Sequence, residues 1–149
     1  MERALRIVGF VLALCVAPLL TTSQETGSAV RFTWVDLWID AGEHELAAWQ
    51  LDLALERAGA VLVGVEGGAH PAYAEPAHYD PEALRASERV ILAALAQTDA
   101  PPSGRTRVAR LHYQVSGSEQ LALEALRVVA GDARGNEIEV AFEAVEGEQ

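Results

Sequence analysis

The chain has 149 residues, half of them apolar, which suits one domain with a real core and excludes a disordered acidic tail. Asp and Glu number 22 against 11 cations, all of them Arg, a net charge of −11. Such a surface repels phosphate backbones, so nucleic acid is excluded as a partner class.

Arg3 and Arg6 precede an unbroken apolar run from Ile7 to Leu20, and the small, polar "TTSQETGSA" follows. A positive start, a short apolar middle and a small-residue exit predict a secretory signal peptide over 1–23, with cleavage as late as residue 29 as the alternative. The run is shorter than the roughly 20 apolar residues of a membrane-spanning helix, and Pro18 sits inside it. Leu14 before Cys15 argues against a lipoprotein signal. The expected mature chain therefore has no cysteine and no membrane span, and works in the periplasm, the cell envelope or outside the cell.

Residues 30–146 form the expected domain. In "VRFTWVDLWID", Val35, Leu37 and Ile39 alternate with Asp36, Trp38 and Asp40, which predicts a strand with one buried face. Gly42 supplies the following turn. "LAAWQLDLAL" has the composition of a helix, but Trp49, Leu51, Leu53 and Leu55 all point one way only in a strand. Strict alternation outweighs propensity, and "AVLVGVEGG" follows as the next strand. Residues 67–80, with two Gly and two Pro, predict a long surface loop. Asp80 and Pro81 then suit the start of a short helix or helical turn over "PEALRAS". Residues 88–97 fit either a strand or a helix, and the strand is preferred here. "RVARLHYQV", "LALEALRVVAG" and "EIEVAFEAV" complete the set, the last two joined by the turn "GDARGN". Short strands separated by turns predict a mainly β, antiparallel sandwich.

The order of these segments resembles the cohesin-like modules. "VDLWIDAGEHELAAWQLDLAL" with "AVLVGVEGG" is similar to their opening strands, and "RVARLHYQV" and "VVAGDARGNEIEV" to their closing strand and hairpin. The Tyr-Asp-Pro that cohesins often carry after the second strand occurs later here, at Tyr79 to Pro81. The resemblance implies a jelly-roll-like β-sandwich. Binding of a dockerin is a separate question, because a module can keep the sandwich and lose the partner.

No nucleophile elbow or phosphate-cradling glycine loop points to catalysis, so a hydrolase fragment is the least favoured class. His44, His70, His78 and His112 lack the spacing of zinc ligands and read as solvated residues. Calcium is the one cofactor the acidity raises, at Asp132, Asn136 and Glu137, but a simple hairpin turn with Gly135 or Asn136 left-handed explains that segment better. Asp36 and Asp40 read as solubilising. Trp34 and Trp38 share an outward parity, and Tyr73 and Tyr79 lie in the long loop. These four are the candidate ligand contacts, unless the loop folds over the two indoles. The leading expectation is an exported, non-catalytic module that binds a protein, preferably a basic one, through a sheet face or strand edge. A carbohydrate-binding module using Trp34, Trp38, Tyr73 and Tyr79 is the alternative.

Overall fold

The computed structural model describes residues 29–56, 59–82, 88–117 and 120–147. The expected signal peptide and most of the expected helix after Asp80 lie outside these residues. The described residues form eight strands: β1 (Val30–Asp40), β2 (Ala48–Leu55), β3 (Ala60–Gly67), β4 (His78–Tyr79), β5 (Arg89–Leu95), β6 (Arg105–Ser116), β7 (Leu123–Gly131) and β8 (Ala141–Glu146). They form two four-stranded sheets, β3-β6-β1-β8 (sheet I) and β4-β5-β2-β7 (sheet II), with every pair antiparallel. The chain crosses repeatedly from one sheet to the other, so this is the expected jelly-roll-like sandwich.

The alternation read from the sequence sets the core. Val35, Leu37 and Ile39 of β1 and Trp49, Leu51 and Leu53 of β2 face each other between the sheets, nearly without solvent exposure. Leu111 and Tyr113 of β6 and Val90 and Leu92 of β5 extend the same layer. Burying side chains of this size stabilises the fold by about 1.5–3 kcal/mol each. The helical composition of residues 46–55 is overridden because only a period of two puts all of these side chains on one face. Residues 89–95 are a strand for the same reason: Val90 and Leu92 point inward.

Two expectations change. The segment 67–80 runs at the surface as expected, but it is anchored in the core. Pro71–Tyr73 forms a single 3-10 turn, capped by His70, whose Nδ1 accepts from Ala72 N at 3.2 Å. Ala72, Tyr73 and Ala77 are buried, and the phenol of Tyr73 donates to the Leu46 carbonyl oxygen. The loop therefore plugs one open end of the sandwich. Glycines make the close approach possible: a Cβ on Gly67 would lie 2.0 Å from the Ala74 carbonyl oxygen, and one on Gly68 would lie 2.5 Å from that of Arg107.

The second change concerns "EIEVAFEAV". Only residues from Ala141 onward form the strand β8. Glu137 bridges to Gly131 of sheet II, and residues 138–140 carry the chain across to sheet I. Ile138, Val140 and Phe142 still face the core, so the alternation predicted the inward side chains while the sheet changed beneath them. The turn before it is as expected. Gly135 is left-handed at φ 82°, and the Asp132 carboxylate accepts from Arg134 N, Asn136 N and Asn136 Nδ2 at 2.8–3.0 Å. Those three bonds turn the carboxylate onto the turn's own backbone and Asn136 amide. They hold the Asp132 carboxyl below its ordinary pKa, the Asn136 side-chain hydrogen bond contributing most.

Candidate functional site

The outer face of sheet I holds Trp34 and Trp38, which point away from the core as their parity predicts. Both are half-buried, but the long loop does not cover them. Instead the Arg105 guanidinium lies 3.9 Å from the centroid of the Trp38 ring and that of Arg110 lies 5.1 Å from Trp34. Gly147 packs so close to Trp34 that a Cβ there would overlap the indole, at 2.1 Å. Cation–π contacts of this kind stabilise by roughly 0.5–2 kcal/mol and occupy a ring face that a sugar would need.

Asp36 is not simply a solubilising residue. Arg110 donates to it through Nε and Nη2 at 2.7 and 2.9 Å, a bidentate pair, and Arg107 Nη1 lies 3.5 Å away. Glu66 on β3 extends the ladder, with its Oε2 3.1 Å from His112 Nε2. Arg105 also donates to Glu143 at 2.7 Å. This face is a closed net in which each of these charges has a partner.

Tyr73 and Tyr79 belong elsewhere. Tyr73 is 2% exposed, its ring set edge-on to Trp49 with centroids 6.1 Å apart. Burial pushes its phenol pKa well up. Tyr79 pairs with Leu92 on β5 and packs against the core. Trp34 and Trp38 thus stand outside sheet I, Tyr73 in the core and Tyr79 on sheet II, so the four are not brought together.

The outer face of sheet II is different. Here a trough of about 790 Å³ is floored by Ala48 and Gln50 of β2, Ala93 and Leu95 of β5, and Val129 and Gly131 of β7. One wall is Glu75, Pro76 and His78, supplied by the plugging loop and β4; the other is Asp132, Gly135 and Glu137 of the β7–β8 turn. Small side chains on the central strands make the floor low, and the two loops rise on either side of it. Leu95 is 69% and Ile91 45% exposed on this face. Below the trough, Arg89 grips Asp52 through Nε and Nη2 at 2.7 and 2.6 Å, holding that carboxyl below its usual range. Sequence reasoning missed this surface. Outward alanines carry no signal, and the two walls come from segments more than fifty residues apart.

Two antiparallel four-stranded sheets with this crossover order define a jelly-roll-like β-sandwich. The chain is similar in structure to a cohesin module from a Clostridium perfringens family 33 glycoside hydrolase, with a TM-score of 0.52, 11% sequence identity, and coverage of 70% of this chain and 73% of that one. The likeness is one of fold. The sequence matches no family model and no curated protein.

Proposed function

We propose that the chain is an exported, non-catalytic recognition module that binds a protein partner in the trough of sheet II. The observation that carries this reading is the walled trough on sheet II. On sheet I the two indoles and the charges beside them pair with one another, while Val30, Phe32, Val61, Val63 and Val145 on its strands stay exposed. On sheet II an uncovered floor of Ala48, Ala93, Leu95 and Val129 lies between two walls. An open apolar floor with polar walls is the form of a contact surface, whose energy comes from excluding water over a shaped patch. The cohesin-like fold agrees with a binding role, and the N-terminal sequence supports export.

The polysaccharide alternative finds less support, since the Arg105 and Arg110 guanidinium groups lie over the indoles it needs. The test is capture from the envelope fraction of the source organism on the immobilised full chain. Ala93→Arg places a long cationic side chain on the trough floor, and Trp38→Ala strips the sheet I platform. A protein captured by the wild type and by Trp38→Ala but not by Ala93→Arg is the expected result. Retention on insoluble polysaccharide that is lost in Trp38→Ala and kept in Ala93→Arg would overturn the reading.

A further inference from the structure

The strand registers of sheet II arrange its outward side chains in rows. Leu95, Ala48 and Gly131 form the row nearest the two walls, and His78, Ala93, Gln50 and Val129 form the next. Ile91, Asp52 and Arg127 follow, then Arg89, Ala54 and Glu124. Charge is sorted along this grid. The last two rows hold two cations and two carboxylates, so they are neutral, and Asp52 is already held by Arg89. At the opposite end, Glu75 stands on one wall and Glu137 on the other, and neither makes an ion pair among the described residues. Asp132 beside them is occupied by its own turn. Between the two ends, Ile91, Ala93 and Leu95 run as an apolar stripe along β5.

We infer that the trough takes a protein segment with its basic residue at one end and an otherwise uncharged, apolar contact face, the cation seated between Glu75 and Glu137 and the apolar side chains along Ile91, Ala93 and Leu95. This rests on the trough being the binding surface. A lysine or arginine suits the seat because its aliphatic stem can lie on Leu95 and Ala48 while its charged head stands in the field of the carboxylates on the two walls. A segment basic at both ends meets Arg127 at the neutral end and gains nothing there. A second copy of the chain is a poor occupant, since it carries the same acidic balance, 22 Asp and Glu against 11 Arg.

The probes are three synthetic peptides of equal length and identical Leu/Ala face, with a Lys pair at one end, a Lys pair at both ends, or a Glu pair at one end. Each is titrated into the isotope-labelled full chain and followed by amide chemical shifts. The one-ended Lys peptide is expected to perturb Glu75, Ala93, Leu95 and Glu137. It should bind about tenfold more tightly than the Glu peptide and at least as tightly as the two-ended one. A Glu75→Gln/Glu137→Gln double variant, altered only at exposed positions, should lose the preference for Lys over Glu. If the double variant keeps that preference, or the two-ended peptide binds more tightly, the charge assignment is overturned; loss of all peptide binding in Ala93→Arg would then leave the trough itself standing as the binding surface. Shifts confined to sheet I, or no binding by any peptide, would overturn both.

Discussion

Replacing Gly67 by Ala tests how the plugging loop is attached. The new Cβ would sit 2.0 Å from the Ala74 carbonyl oxygen, 2.5 Å from its carbonyl carbon and 2.8 Å from the Tyr73 carbonyl oxygen. All three are backbone atoms, so no side-chain rotation relieves the overlap. Ordinary contact begins near 3.4 Å, so the loop must retreat by more than an ångström. That retreat breaks the Gly68 N to Tyr73 O hydrogen bond of 2.6 Å and pulls on the Tyr73 phenol seated against Leu46. Overpacking costs about 1–3 kcal/mol and a lost buried hydrogen bond about 1 kcal/mol, giving roughly 2–4 kcal/mol in all. For a domain of this size that is a fall in Tm of roughly 10 °C or more. The control is Gly131→Ala, where a Cβ meets only the Asn136 carbonyl oxygen at 3.5 Å and Ala48 Cβ at 3.9 Å. Both variants lose the same glycine freedom in the unfolded chain, so their difference isolates the clash. Thermal and urea unfolding followed by circular dichroism reads the two. A Gly67→Ala protein that melts with Gly131→Ala would refute the close approach.

Stability should fall as pH rises above about 10, the ordinary phenol pKa. Burial raises the folded pKa of Tyr73 and Tyr113, so the unfolded chain ionises first, and each group removes about 1.4 kcal/mol per pH unit until its folded form also titrates. Urea midpoints between neutral and alkaline pH check this, and Tyr113→Phe should flatten the decline. On the acid side, Asp52 and Asp132 have lowered folded pKa values, so their contribution is present above about 3.9 and is lost as pH falls through the lowered values. Asp132→Ala should therefore melt with a weaker acid dependence than the wild type. A double-mutant cycle of Asp36→Ala and Arg110→Ala should give a coupling of about 1 kcal/mol that weakens in high salt. Additivity of the two single variants would show that the bidentate pair contributes nothing.

Reading the fold from the sequence worked where burial is periodic and failed where it is not. Trp49, Leu51 and Leu53 announce a strand despite helical neighbours, because alternation is a property of the segment itself. The burial of Tyr73 is a property of two distant segments: it depends on Gly67 and Gly68 letting the loop backbone touch itself and β6. The same division governs the surfaces. The outward parity of Trp34 and Trp38 is legible locally, but their covering by Arg110 and Arg105 follows from the β1–β6 pairing across some seventy residues. The Asp36–Arg110 pair arises from the same register and the Glu66–His112 pair from the β3–β6 pairing, which is why the indoles that read as a platform sit in a net of charges. Sheet II lacks such a net over Ala48, Gln50, Ala93 and Val129, because small and neutral side chains there have nothing to pair with. The two loops that wall this floor keep carboxylates at one end of it. Binding energy can be gained on this walled floor without first breaking contacts the fold already makes, whereas a ligand on the indoles of sheet I would have to displace Arg105 and Arg110.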